Sequence, residues 1–194
     1  MIEVEKKFRL DKRQEEQLTK DAEFLGSKMN EDVYWDTEDY QLTCQDHWLR
    51  LRNSRWELKR RMHELGHKLG GTAYDEIENE EGIRAFLHLP GNGPMEPDLL
   101  AAGYKPFATI RNERRSYKHG AFHIDLDVCD FNYGVAEIEL MVDRGDDRQV
   151  AIERIEKFAE GLGLDQTHVR GKVIEFLHRF RRPHYERLKK AGVL

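Results

Sequence analysis

Apolar and polar residues alternate along many short segments of this chain, which is the pattern of a β-strand with one buried face. The first segment, residues 2–10, places its apolar side chains on one face and Glu3, Glu5 and Lys7 on the other. The further segments that predict strands are residues 33–37, 48–53, 55–61, 72–78, 105–118, 121–128 and 133–142. The pattern therefore predicts eight strands.

Helical patterns and turn residues separate these strands. Asp11 predicts the start of a first helix, because an aspartate side chain caps the free backbone N–H groups there, and Gly26 predicts its end. Asn53 and Ser54 predict the turn of a hairpin. The predicted helices are residues 11–24, 80–89, 97–102 and 143–160, with a last helix from about Gly171 to the end of the chain, and Gly66, Gly70 and Gly71 predict a loop.

Charged residues on the predicted strands come in pairs of one sign at positions i and i+2, so both members of a pair lie on one face. The acidic pairs are Glu3/Glu5, Asp125/Asp127 and Glu137/Glu139, and the basic pairs are Arg50/Arg52 and Lys59/Arg61; Arg111 and Arg115, four positions apart, form a sixth pair on one face. Side chains at this spacing are about 7 Å apart, close enough to share an ion. A solvated strand face explains one such pair, but six pairs favour a common charged surface.

The apolar faces behind these pairs must be buried, and the few predicted helices can cover only the outside of a closed sheet. We therefore expect an α+β fold, an eight-stranded antiparallel β-barrel with flanking helices, as a single domain over residues 1–194. Like charges inside such a barrel are costly unless bound species compensate them. Divalent cations would compensate the carboxylates, and a polyanion would compensate the arginines and lysines.

The composition narrows the class of protein. Charged residues make up 36% of the chain, yet 3 Trp, 7 Tyr and 9 Phe argue against disorder. With 32 basic and 37 acidic residues the net charge is -5, so no global field attracts nucleic acid. Cys44 and Cys129 are too few for a disulfide framework, and no apolar segment predicts a membrane span or a leader. We expect a cytoplasmic protein, and an enclosed site gives no reason to require more than a monomer.

The charged pairs also resemble a known family. Glu3-Val4-Glu5-Lys6-Lys7 matches E-x-E-x-K, the signature of the CYTH superfamily or triphosphate tunnel metalloenzymes. The resemblance is greatest to the animal thiamine-triphosphatase branch and spans nearly the whole chain. It continues through residues 34–37, 46–52, 56–59, 124–127, 130–131, 137–139, 171–172 and 178–180.

The resemblance implies roles for individual residues. One or two Mg²⁺ ions, with Mn²⁺ as an alternative, would be held by Glu3, Glu5, Asp125, Asp127, Glu137 and Glu139. The triphosphate would be held by Lys7, Arg50, Arg52, Lys59, Arg115 and Lys172, and Glu76 occupies the place of another tunnel acid. Tyr34 and Lys59 would lie near the scissile phosphate, and Trp48 would stack on a thiazolium ring.

The expected activity is the Mg²⁺-dependent hydrolysis of a small-molecule substrate, thiamine triphosphate, to thiamine diphosphate and phosphate. An inorganic triphosphatase or a broad nucleoside triphosphatase is an alternative that the same tunnel could support. A polyphosphate-binding module without turnover is the alternative from another class. Six inward carboxylates argue against that module, because anion binding alone has no use for them.

Overall fold

The computed structural model describes residues 2–61, 72–91, 93–143, 148–165, 167 and 169–194. Its strands are β1 (Ile2–Phe8), β2 (Glu23–Thr37), β3 (His47–Arg52), β4 (Arg55–Arg61), β5 (Thr72–Ile77), β6 (Tyr104–His119), β7 (Phe122–Cys129) and β8 (Tyr133–Val142). Its helices are α1 (Lys12–Thr19), α2 (Glu80–Leu87), α3 (Met95–Ala101), α4 (Arg148–Gly161), α5 (Lys172–Phe180) and α6 (Arg182–Lys190), with a 3-10 turn at Thr43–Gln45.

The eight strands pair in the closed order β1-β5-β4-β3-β2-β6-β7-β8. The pairs β1–β5, β1–β8, β2–β3, β3–β4, β6–β7 and β7–β8 are all antiparallel. The expected eight-stranded antiparallel barrel with flanking helices is thus confirmed. A closed sheet has no exposed edge, so every strand can use its backbone hydrogen bonds within the ring.

The chain divides into two compact units, each assembled from separated stretches. The first unit contains Met1–Met29, Met62–Tyr74 and Asn112–Lys172, and the second contains Asn30–Arg61, Asp75–Arg111 and Val173–Leu194. The single domain over residues 1–194 stays a prediction.

The core of the first unit lies between the sheet and helix α4. Val4 on β1, Ile124 on β7 and Ile138 on β8 are fully buried, and Ile155 of α4 packs in the same cluster. These apolar residues are neighbours in sequence of the acidic pairs, so the alternation turns each acidic pair to the opposite face of the sheet. This side of the sheet is therefore mainly apolar, with Lys6 of β1 paired to Glu156 of α4, and the acids occupy the other side.

The core of the second unit forms in the same way. Trp35 on β2, Leu49 on β3 and Leu58 on β4 are buried together with Ile83 of α2 and Leu99 of α3. The alternate residues of β3 and β4 point away from this core and carry the basic pairs.

The predicted hairpin of β3 and β4 is confirmed. Asn53 and Ser54 have φ values of 46° and 70°, so both lie in the left-handed region. A two-residue turn with two positive φ angles matches the right-handed twist of the strands that it joins.

The predicted end of the first helix is wrong. Helix α1 ends at Thr19 instead of Phe24, and β2 runs from Glu23 straight through Gly26. The Phe24 ring contacts that of Tyr117 on β6 at 5.2 Å between centroids, so strand packing outweighs the local helical pattern. Gly26 is needed within the strand, because its φ of +141° is one that other residues rarely adopt.

The predicted single C-terminal helix is also wrong. Arg181 has a non-helical backbone (φ -136°, ψ 55°) and separates α5 from α6. Pro183 stands in the first turn of α6, where its missing N–H costs no helical hydrogen bond, whereas inside a continuous helix it would remove one.

Two further expectations concern residues that lie partly or wholly outside the described ranges. The glycine-rich loop at Gly66, Gly70 and Gly71 lies outside the described residues, as do residues 144–147 at the expected start of α4. Within the described ranges, no helix combines the length and apolar character that crossing a membrane requires.

Replacing Ile155 by alanine tests the core of the first unit. We expect Ile155→Ala to lower the free energy of unfolding by about 2–5 kcal/mol, because it leaves a cavity at a fully buried position. Val150→Ala on the same helix is the matched control, since Val150 is 49% exposed. Chemical denaturation of both variants measures the difference, and equal losses would contradict this arrangement of α4.

Candidate active site

Six carboxylates meet on one face of the first unit and form what we call the carboxylate cluster. Its members are Glu3, Glu5, Asp125, Asp127, Glu137 and Glu139. The strand register brings them together: Glu139 on β8 lies opposite Glu5 on β1, and Glu137 lies opposite Asp125 on β7. Water is largely excluded, because the side chains of Glu5 and Asp125 are each 4% exposed and that of Asp127 is fully buried.

Arg114 lies at the centre of the carboxylate cluster. Its guanidinium donates to both oxygens of Asp127 at 2.7 and 2.6 Å and to Glu137 at 2.8 Å, and it also pairs with Asp125. Burial would lower the pKa of Arg114, but the bonds to Asp127 and the charges of Glu137 and Asp125 raise it well above its ordinary value. Arg114 therefore stays charged and offsets part of the repulsion among the acids.

Two lysines complete the positive charge around the carboxylate cluster. Lys7 pairs with Glu5 and lies 3.5 Å from Glu137. Burial opposes its charge, yet the neighbouring carboxylates raise the pKa of Lys7 above its ordinary value. Lys172 at the start of α5 donates to Asp127 at 3.2 Å.

Glu139 on β8 lies among the other acids of the cluster. Burial, followed by the charges of Glu3, Glu137, Glu5 and Asp125, raises the pKa of Glu139 well above its ordinary value. The carboxylate oxygens of Glu3, Glu5 and Glu139 lie within 4.8 Å of one another, which suits ligands of one cation after a small adjustment. The donor set is hard and negatively charged, so it fits a divalent metal ion.

Arg115 does not join the carboxylate cluster. On β6, Asn112, Arg114 and Ser116 face the acids, and the alternation sends Arg115 to the opposite side. There it donates to Glu15 of α1 at 2.8 Å. The expected place of Arg115 among the site residues is therefore wrong: its neighbour Arg114 faces the acids instead, since a shift of one residue along a strand exchanges the two faces.

A second group of functional candidates lies on β2, β3 and β4 in the second unit, and we call it the basic cluster: Tyr34, Trp48, Arg50, Arg52 and Lys59. Tyr34 lies opposite Arg50, and Trp48 lies opposite Lys59, so these residues share one face. Burial would lower the pKa of Arg50, but Tyr34, Asp32 and Glu57 raise it. Tyr34 and Lys59 stand on the two strands that flank β3. They lie two residue rows apart, so they are not direct neighbours across the sheet.

Each cation of the basic cluster has an acidic partner. Arg52 binds both oxygens of Asp32 at 2.5 and 2.8 Å, and Arg50 binds Glu57 at 2.8 and 2.7 Å. Lys59 lies 2.6 Å from Glu76, the predicted tunnel acid. Burial would raise the pKa of Glu57, but the charges of Arg50 and Arg52 lower it, so this carboxylate stays ionised.

Trp48 is buried, and its indole N–H is hydrogen-bonded. It donates to Asp46 at 2.7 Å, and Asp46 also accepts from Arg61 at 2.7 Å. The Tyr34 ring meets the indole edge-on, with 6.5 Å between centroids. These contacts fix the ring on the same side as Arg50, and only 6% of Trp48 is exposed.

The sequence pattern did not identify several residues of the site. Asp32 and Glu57 each stand two positions from a predicted site residue, Tyr34 and Lys59, so the same i,i+2 spacing could have found them. Arg114 could have been found only with the register of β6, because adjacent arginines give no signal of which one faces inward.

Comparison with known proteins identifies the family. The sequence profile of the CYTH domain matches residues 1–171. The chain belongs to the CYTH family. Its CYTH relatives include thiamine-triphosphatase of Macaca fascicularis, 33% identical over 208 residues that cover 97% of this chain and 89% of the relative. Thiamine-triphosphatase of Homo sapiens is likewise 33% identical, over 207 residues with the same coverage.

A solved structure agrees with the CYTH fold. A protein from Pyrococcus horikoshii OT3 superposes with a TM-score of 0.70 over 91% of this chain and 99% of its own, at 22% identity. At that identity the likeness concerns the fold alone. The expected family is confirmed by the CYTH match and the two relatives.

Exchanging Arg114 tests the electrostatics of the carboxylate cluster. In metal-free protein, with a chelator present, we expect Arg114→Gln to lower the free energy of unfolding by about 3–5 kcal/mol. The substitution leaves buried carboxylates without their central cation. Saturating Mg²⁺ should restore part of this loss through binding to the folded state. Arg115→Gln is the control, since its pair with Glu15 is partly exposed and contributes about 0–1 kcal/mol. Denaturation with and without Mg²⁺ measures both; the interpretation fails if the two variants behave alike.

Proposed function

We propose that this protein hydrolyses thiamine triphosphate to thiamine diphosphate and phosphate with the help of Mg²⁺. That it is a phosphohydrolase acting on triphosphates is confirmed by its CYTH domain and by thiamine-triphosphatases that share 33% identity over 97% of the chain. The observation that carries the metal requirement is the grouping of Glu3, Glu5 and Glu139, whose carboxylate oxygens lie within 4.8 Å of one another. Burial, and then the charges of four neighbouring carboxylates, raise the pKa of Glu139. A divalent cation removes that repulsion.

The carboxylate cluster supports this proposal through its donor set. Mg²⁺ prefers carboxylate oxygens and retains several waters, and Glu3, Glu5 and Glu139 offer oxygens at a spacing that suits one ion. When bound, the ion would polarise phosphate oxygens and lower the pKa of a coordinated water. We assign Asp125, Asp127 and Glu137 to the same metal-binding group.

The three cations that pair with the carboxylate cluster have roles other than metal binding. Lys7 and Lys172 place their side-chain nitrogens next to the acids, and Arg114 keeps three carboxylates oriented. We assign Lys7 and Lys172 to the phosphate groups, where a compact ammonium acts as a point charge. Arg114 is the arginine of β6 that faces the acids, a position first expected for Arg115.

The basic cluster supports triphosphate binding by its two arginine forks. Arg50 and Arg52 present rigid planar donors that match phosphate oxygens. Hydrolysis of a phosphoanhydride depends mainly on positioning and on neutralising the charge of the leaving diphosphate. We assign Arg50, Arg52 and Lys59 to this neutralisation and Tyr34, the cross-strand partner of Arg50, to the neighbourhood of the scissile phosphate.

Trp48 supports thiamine as the organic end of the substrate. Its indole shares a face with Arg50 and is oriented by Asp46. Stacking of a cationic thiazolium ring on an indole stabilises the bound ligand by about 0.5–2 kcal/mol.

The Glu139→Gln variant tests the metal-dependent reaction. We expect its turnover to fall at least about 100-fold, the scale of losing one electrostatic contact in an active site. Phosphate release from thiamine triphosphate, tripolyphosphate and ATP is measured with Mg²⁺, Mn²⁺ or chelator. Glu160→Gln, an exposed site on α4, is the control and should retain full activity. Near-normal Mg²⁺-dependent activity of Glu139→Gln would sink the assignment, and no release by the wild type would favour a binding module.

The Trp48→Ala variant tests the choice of substrate. We expect KM for thiamine triphosphate to rise about 2- to 30-fold, because the stacking energy is lost. KM for tripolyphosphate, which has no ring, should stay unchanged, and Trp48→Phe should keep most of the affinity. Equal losses on both substrates would instead indicate an inorganic triphosphatase whose Trp48 only supports the fold.

A further inference from the structure

His123 stands beside the carboxylate cluster on β7. It is two residues before Asp125, so both side chains lie on the same face of the strand, and its Nε2 is 3.1 Å from Asp125 Oδ1. In the register of β7 and β8 it is the direct partner of Glu139. The imidazole is therefore in place beside two of the carboxylates assigned to metal binding.

Two donor sets share Glu139 as a common member. The first consists of Glu3, Glu5 and Glu139, and the second of His123, Asp125 and Glu139. In each set the ligand atoms lie within 4.8 Å of one another. Ligands around one cation are separated by roughly 3–4.5 Å, so each set needs only a small contraction to close on an ion. A carboxylate common to both sets can bridge two neighbouring ions.

The two sets differ in chemistry. Three carboxylates form a hard, all-oxygen site of the kind that Mg²⁺ prefers. An imidazole nitrogen with two carboxylates instead favours first-row transition ions, because nitrogen ligands bind these ions more strongly than Mg²⁺. The substitution of one nitrogen for one oxygen thus gives the two positions different metal preferences.

The surroundings of the second set suit a bound ion. Ser116 donates to Asp125 Oδ1 at 2.5 Å, and Arg114 pairs with Asp125 Oδ2, so the carboxylate is held in a fixed orientation. Such outer contacts hold first ligands in place in metal sites. The His123 side chain is 40% exposed, which leaves a route for the ion and room for water or a phosphate oxygen as a further ligand.

We propose that His123, Asp125 and Glu139 form a second cation site that binds a first-row transition ion in preference to Mg²⁺. Its part in turnover rests on the proposed function, whereas its metal affinity can be measured without any substrate. The site makes His123 a determinant of which metal the enzyme accepts.

Metal titration of the full chain tests the second site. Co²⁺ and Mg²⁺ are titrated separately into metal-free protein by calorimetry, and the visible absorption of Co²⁺ reports nitrogen ligation. We expect His123→Ala to weaken Co²⁺ binding at least about tenfold, the lower end of the range for loss of outer contacts in metal sites. It should also change the Co²⁺ spectrum and leave Mg²⁺ affinity as it is. His88→Asn is the control, since His88 is an exposed histidine whose left-handed backbone asparagine tolerates.

The outcomes separate this site from the proposed function. Unchanged Co²⁺ affinity and spectrum in His123→Ala would overturn the second site, and so would an equal loss of Mg²⁺ affinity. Wild-type protein that binds Co²⁺ through His123 but releases no phosphate from any triphosphate would overturn the proposed function alone. A thermal melt of each variant in chelator shows that the comparison is made between folded proteins.

Discussion

Mutual repulsion among six carboxylates is the constraint on which the rest of the first unit depends. The acids lie on neighbouring strands, and several of them are almost entirely shielded from water. Ionised groups in such surroundings are costly unless they are paired. Among the residues that the structure describes, Arg114, Lys7 and Lys172 pair with members of the cluster and offset part of this cost. Burial, and then the charges of neighbouring carboxylates, raise the pKa of Glu139 well above its ordinary value.

The sheet prevents the acids from moving apart. Each acidic residue alternates with an apolar residue that is buried on the other face, such as Val4, Ile124 and Ile138. Turning a carboxylate away would require its strand to slip by one residue, which would expose those apolar side chains to water. The stability of the apolar core therefore enforces the proximity of the charges. The core thus keeps the acids close together, and a bound metal ion would relieve their repulsion.

The sequence allowed much of this to be predicted, and the failures have specific physical causes. Alternation identified β1, the hairpin of β3 and β4, and all six carboxylates, because a two-residue period is local information. It could not identify the end of α1, because the contact of Phe24 with Tyr117 spans strands far apart in the chain. The resemblance also placed Arg115 among the site residues, whereas Arg114 is the arginine that faces the acids. The choice between adjacent residues depends on register, which is fixed by packing across the sheet.

The basic cluster is subject to the opposite constraint. Its cations already have carboxylate partners, Asp32, Glu57 and Glu76, so they are neutralised and oriented before any ligand arrives. An anion that binds Arg50 and Arg52 must share or replace these partners and must therefore offer more charge than one carboxylate does. A singly charged anion gains little from that exchange, whereas a triphosphate offers several charged oxygens to each fork. The same acidic partners that hold the arginines in position thereby select for highly charged ligands.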